Sequence, residues 1–86
     1  MEKVEIGKVY RHFKGNYYFV ENVGINSETM ERMVIYKPLY GNTNGNIWVR
    51  PETMFLEEIP ERPDNITGQK HRFEVCSDLS KDYLKA

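Results

Sequence analysis

Val34-Ile35-Tyr36-Lys37-Pro38-Leu39-Tyr40, then Gly41-Asn42-Thr43-Asn44-Gly45-Asn46, then Ile47-Trp48-Val49-Arg50-Pro51 is the stretch that decides the fold class. Two runs rich in β-branched and aromatic residues flank a cluster of Gly and Asn. Gly and Asn tolerate the positive φ of a tight reversal, so the stretch predicts a β-hairpin. Its register follows from charge. Pairing Tyr40 with Ile47 sets Lys37 opposite Arg50, and like charges facing each other destabilise an antiparallel pair. A one-residue shift removes the clash and exchanges the faces of a whole strand. Leu39, Ile35, Ile47 and Val49 then share one face, and Tyr36, Tyr40, Trp48 and Arg50 share the other. A tight two-residue turn at Asn44-Gly45 implies the opposite parity unless a bulge intervenes; avoiding the Lys37–Arg50 clash favours the shifted register.

Upstream, Lys8 to Phe13 alternates, with Val9, Arg11 and Phe13 on one strand face and Tyr10 and His12 on the other. Lys14-Gly15-Asn16 is a turn signal. Tyr17 to Ile25 alternates again until both faces change character at Glu21-Asn22, which predicts a bend or bulge. Residues 1–6 read as a short edge strand or a frayed arm. Residues 26–32 are polar and read either as a single helical turn capped by Asn26 or Ser27 or as an ordinary polar link joining two strands. Downstream, Pro51 to Phe55 predicts a short helical turn with Pro51 at its first position. Leu56 to Ile59 reads as a further strand, 60–69 as a loop, and His71 to Val75 as a last short strand. The expected architecture is all-β: about five antiparallel strands in a small, partly open barrel with short helical turns. It spans residues 1–77, and 78–86 form a C-terminal tail or short helical turn.

A chain of 86 residues predicts one domain. A domain of that size buries only about 60–65% of its unfolded surface, so large rings must supply much of the core. Charged residues make up 29% with a net charge of -1, which argues against a generic nucleic-acid coat, a polybasic membrane binder or an acidic disordered tail. A local basic patch remains compatible with that balance. Cys76 is the one cysteine, so neither an intrachain disulfide nor a cysteine-rich zinc site is expected, and a reducing compartment is the economical reading. No signal peptide, transmembrane helix or membrane partner is expected, and the expected location is cytoplasmic.

There is no Gly-rich phosphate loop and no nucleophile elbow. His12 and His71 do not form a two-histidine helical zinc motif. No metal, cofactor or catalytic residue is therefore assigned. The plentiful carboxylates give no acid–base assignment by abundance alone, and Cys76 reads as an inert thiol. The informative set is aromatic plus basic: Tyr10, Arg11, His12, Tyr36, Tyr40, Trp48 and Arg50. Aromatic faces with interleaved cations suit bases, single strands or flat ligands. The competing reading makes Trp48 and the tyrosines core, His12 a hydrogen-bonding edge residue, and Arg50 the partner of a nearby acid.

Five ordered blocks carry a resemblance. They are Tyr10-Arg11-His12-Phe13-Lys14-Gly15-Asn16 with Tyr18 and Val20; Ser27-Glu28-Thr29 with Glu31; Val34, Tyr36 and Leu39-Tyr40-Gly41; Trp48-Val49-Arg50-Pro51 with Met54-Phe55; and Arg72-Phe73. Together, over about residues 8–75, they resemble a bacterial family, the domain of unknown function numbered 1653. The resemblance implies a small SH3-like β-barrel with no established activity. The Asn-rich turn is longer than the resemblance implies, and the tail from Glu74 onward lies outside it. The implied candidate site comprises His12, Ser27, Glu28, Tyr36, Tyr40, Trp48 and Arg50. Gly15, Gly41 and Pro51 are explained by turns alone. The leading functional expectation is a non-enzymatic module presenting an aromatic and basic surface to a nucleic acid, nucleotide or peptide. The alternatives are a small enzyme or enzyme subunit using His12 and Glu28, and a structural or oligomerisation domain without its own ligand.

Overall fold

The structure is a computed structural model that describes residues 3–41 and 45–77. Its elements are β1 (Val9–His12), β2 (Tyr17–Ile25), β3 (Arg32–Pro38), β4 (Trp48–Pro51), α1 (Glu52–Phe55) and β5 (Phe73–Val75). All five strands are antiparallel in one open sheet of order β4-β3-β2-β1-β5. Neighbours in sequence are thus neighbours in space, and the last strand returns to flank the first.

The local chemistry explains the connections. Gly15 turns β1 into β2 at φ 109°, and a Cβ there would stand 3.0 Å from the Ile66 side chain, so both conformation and space call for glycine. In β2 the register slips between Val20 and Asn22, leaving Glu21 as the extra residue of a bulge at the expected place. The bulged Glu21 accepts an ion pair from Lys37 Nζ at 2.9 Å. Asn26 Oδ1 accepts the amides of Glu28 and Thr29, at 2.9 and 3.3 Å, and so shapes the turn between β2 and β3. In the central hairpin Tyr36 faces Trp48, Ile35 faces Val49 and Val34 faces Arg50. That is the parity that avoiding a Lys37–Arg50 pair predicts.

The core lies on one face of the sheet. Tyr10, Val20, Val34, Tyr36 and Phe73 from the strands enclose Phe55 of α1 and Val4 of the N-terminal arm. Phe55 and Phe73 stack in parallel with ring centroids 4.0 Å apart. Tyr10 and Tyr36 meet Phe55 edge-on at 5.3 and 5.2 Å. The Arg50 guanidinium carbon, on β4, lies 5.9 Å from the centroid of Phe73, on β5. These are the two outermost strands, and four flat strand spacings would separate their backbones by about 19 Å. The sheet therefore curls, with the core on its concave side.

Three expectations need correction. Leu56 to Ile59 is not a strand; within it Glu58 makes a single bridge to His71, and the last strand starts only at Phe73. Pro51 belongs to β4 and precedes α1 rather than opening it. The N-terminal arm, over its described residues, is neither frayed nor a strand: Val4 is buried, and the Gly7 amide bonds the Val20 carbonyl at 2.8 Å. The expected tail at 78–86 lies outside the described residues.

The arm is held by Glu52. Its carboxylate accepts the Val4 amide at 3.0 Å and Arg32 Nε and Nη2 at 2.9 and 3.2 Å. Burial pushes the Glu52 pKa up, but the Arg32 and Val4 hydrogen bonds outweigh it and hold the carboxyl below its usual range. A depressed carboxyl stabilises the fold above its unfolded pKa and loses that contribution as pH falls through the folded value. Glu52→Ala should cost about 2 kcal/mol in urea melts at neutral pH, because a buried amide loses its acceptor. Glu52→Gln should cost less, and its deficit against the wild type should shrink as pH falls below the ordinary glutamate range and through the lowered native value.

Candidate functional site

Strand register assembles the site. Tyr36 and Trp48 are direct cross-strand partners on the concave face, and Arg50 follows two residues on, on the same face. Arg50 Nε donates to Tyr36 Oη at 3.2 Å while its guanidinium lies over Phe73. Tyr40, just past β3, shares a hydroxyl–hydroxyl hydrogen bond of 2.9 Å with Tyr18. Tyr18 meets Tyr36 and Phe73 edge-on at 5.6 and 5.3 Å. His12, at the end of β1, packs on Phe13 at 4.3 Å and on Phe73 at 4.9 Å. Phe73 is thus a shared floor, with His12 and Arg50 both packed against it.

Tyr36 is buried, whereas Trp48 is 51% and Tyr40 48% exposed. The reading of Trp48 as a packing residue is corrected: β4 is an edge strand with no strand among the described residues paired to its outer side, and Trp48 stays half-exposed. His12 is held neutral. The Lys14 amide donates to its Nδ1 at 3.1 Å, which places the ring proton on Nε2. Burial, reinforced by Arg72, Lys14 and Arg50, lowers its pKa to about 4. Burial and the bond to Tyr40 push the Tyr18 phenol well above its ordinary value.

The five arginines differ in their partners, and Arg11, on the face of β1 opposite Tyr10, lies over the Tyr17 ring at 5.4 Å without a carboxylate among the described residues. Arg32, Arg62 and Arg72 are paired with Glu52, Asp64 and Glu57. Arg50 has no carboxylate in reach among the described residues; its partners are a neutral hydroxyl and a ring face. The site therefore offers one partly desolvated guanidinium, a neutral His12 and phenolic hydroxyls beside two half-exposed rings. That arrangement is fitted to hold an anionic group and to stack a flat or apolar one.

Ser27 and Glu28 do not join it. They lie exposed at the turn after β2, while Tyr18, near the other end of that strand, belongs to the site. Seven residues at ~3.3 Å each separate Tyr18 from Ile25, about 23 Å. His12 and Glu28 are therefore beyond proton-transfer reach of one another. Conversely, Tyr18 and Phe73 were not among the sequence candidates. Tyr18 shares strand parity with Val20, which marks its face, but Phe73 reaches the site only through the curl of the sheet, which no local pattern announces.

A separate groove of about 580 Å³ opens between Lys3, Glu5, Tyr10, Lys70, Phe73 and Glu74. Its Glu74 carboxylate is already taken by the amides of Lys70 and His71, at 2.9 and 3.0 Å. No group of three metal-ligating side chains occurs among the described residues, and no helix there is long and apolar enough to cross a membrane.

Fold and site together define a small antiparallel β domain with an aromatic, singly cationic surface. The model of DUF1653, a protein of unknown function, matches residues 8–75, and the chain belongs to that family. It is similar to the crystal structure of a DUF1653 protein from Bordetella bronchiseptica, with 26% identity and a TM-score of 0.62 over 85% of this chain and 83% of that one. No curated protein matches the chain.

His12 gives the site a pH signature. Its folded pKa lies below the unfolded value, so the unfolded chain binds the extra proton as pH falls from about 6.5 towards 4, and stability falls over that window. Since His12 is partly exposed, solvent screening reduces the effect to on the order of 1 kcal/mol. His12→Asn keeps an acceptor for the Lys14 amide without the titration. Melting temperatures between pH 6.5 and 5, above the carboxylate range, should slope for the wild type and flatten for this variant.

Proposed function

We propose that the protein is a non-enzymatic binding module whose ligand presents an anionic group to Arg50 and a flat or apolar group to Trp48 and Tyr40. The observation that carries this reading is the setting of Arg50: it is held on Tyr36 and Phe73 on the concave face without a carboxylate, while Arg32, Arg62 and Arg72 have one each and Arg11, which also has none, lies over Tyr17 on the other face of the sheet. A partly desolvated cation without a counter-ion is costly unless a ligand supplies one. The enzymatic alternative loses its support with the separation of His12 from Glu28. The curled sheet, with β5 returning to flank β1, further supports reading the fold as a partly open SH3-like barrel. Function in a bacterial cytoplasm goes with this reading.

The test is a thermal-shift and Trp48 fluorescence screen with inorganic phosphate, nucleoside monophosphates, short single-stranded oligonucleotides and acidic peptides. A binder at a hundred times its Kd should raise stability by about 2.7 kcal/mol. Arg50→Lys should melt nearly as the wild type yet lose about tenfold or more in affinity, because lysine keeps the charge but not the planar fork. Lowered melting with affinity intact would make Arg50 scaffold and remove the proposal.

A further inference from the structure

The strand that carries Trp48 and Arg50 is also an edge. Ile47, Trp48 and Val49 are 58%, 51% and 59% exposed, three large apolar residues in a row. Natural sheets blunt their edges with charges, bulges or covering chain. The opposite edge, β5, is three residues long and carries Glu74, and just before it residues 57–59 pair with 70–72: Ile59 N to Lys70 O is 2.8 Å and Arg72 N to Glu57 O 2.9 Å. On β4 no charge stands before Arg50.

The backbone of this edge has a defined outward set. The Leu39 amide donates to the Tyr17 carbonyl at 3.0 Å, so Leu39 turns its polar groups towards β2. Polar groups alternate sides along a strand, so those of Lys37 and Ile35 point the same way and those of Tyr36 and Val34 point to β4. Trp48 and Arg50, their partners, therefore bond inward, and the N–H and C=O of Val49 point outward. Pro51, of the same parity as Val49, loses nothing by lacking an N–H there.

We infer that β4 is a docking edge for an extended acidic peptide, which adds a sixth strand by pairing with Val49 and sets a carboxylate beside Arg50. This rests on the reading of Arg50 as a cation awaiting an anion. Alternation fixes the rest. Antiparallel to β4, the residue opposite Arg50 is acidic, the next, opposite Val49, is apolar, and the one opposite Trp48 is aromatic or apolar, with a further apolar residue opposite Ile47. A peptide fits better than a nucleic-acid strand. The chain's net charge is -1, Arg50 is a single cation rather than a stripe, and an open backbone edge recognises amide groups. A second copy paired through β4 would bring no acid to Arg50, since residues 45–51 contain none.

The probe is an N-acetylated, C-amidated octapeptide with the central sequence Glu-Val-Phe-Val, titrated against the full chain and read by fluorescence of its one Trp. Saturable binding is expected. Val49→Pro removes an N–H that points to solvent, so it should fold with little change in melting temperature yet weaken binding at least about tenfold. N-methylation of the peptide's first Val amide should do the same. A peptide with Lys in place of Glu should fail on the wild type and bind Arg50→Glu. That charge exchange decides the matter if Val49→Pro does not fold. Binding indifferent to both Val49→Pro and the charge exchange overturns the inference. So does sedimentation showing a dimer that Val49→Pro dissolves. If oligonucleotides or nucleotides bind in an Arg50-dependent way and the peptide does not, the strand-addition inference falls and the binding-module reading stands. If no anionic probe binds through Arg50, both fall.

Discussion

The parallel stack of Phe55 on Phe73, centroids 4.0 Å apart, is the contact on which the remaining structure depends. Neither ring sits in an element stable by itself. α1 has four residues and β5 three, and a helix that short does not form without packing. Each is fixed because its phenylalanine is fully or almost fully buried against the other's. A domain of this size has little aliphatic core to spare, and paired rings remove more surface per residue than aliphatic side chains do. The stack has a geometric consequence as well. It seats β5 over the concave face, so Phe73 meets His12 of β1 on one side and Arg50 of β4 on the other. The candidate site is therefore built on a core contact, which makes its floor rigid.

Charge placement follows from the same register. Lys37 and Arg50 are kept on opposite faces of the central hairpin. On the convex side Lys37 finds Glu21, the bulged residue of β2, and lies over the Phe19 ring at 5.6 Å. The extra residue that bends β2 thus also supplies the counter-ion for the lysine that the hairpin register turns outward. On the concave side Arg50 finds a phenol oxygen and a ring face. These contacts offset part of its desolvation without neutralising it. His12, kept neutral by burial and by three nearby cations, adds no second charge to the site.

Much of this was legible in the sequence wherever neighbouring residues determine the outcome. The central hairpin parity came from one like-charge pair, the bulge from a break in alternation at Glu21, and the turn at Gly15 from glycine chemistry. What could not be read depends on distant contacts. Glu52 looked like an ordinary acid at a helix start; its partners Val4 and Arg32 lie 48 and 20 residues away. Trp48 has the composition of a core residue, and only the strand order, which leaves β4 at an edge, exposes it. Ser27 and Glu28 share a resemblance with His12 but sit at the far end of the longest strand, and sequence order alone conceals that distance.

The two edges of the sheet are treated unequally, and the inequality has a physical logic. Just before β5 the chain adds backbone of its own, pairing residues 57–59 with 70–72. Beside β4 the described residues add none, but the strand ends at Pro51 and the chain turns at once into α1. A proline next to an open edge stops pairing from spreading beyond it, since it has no N–H to offer. The exposed apolar run is then too short to template long sheets, which is one way natural proteins keep an edge from aggregating. An open edge of three residues gains little from backbone pairing alone. It gains selectivity from what flanks it, and Arg50 and Trp48 flank Val49 on one face. On the binding-module reading, an edge left open, kept short and set beside a cation without a carboxylate would suit a specific partner rather than indiscriminate association.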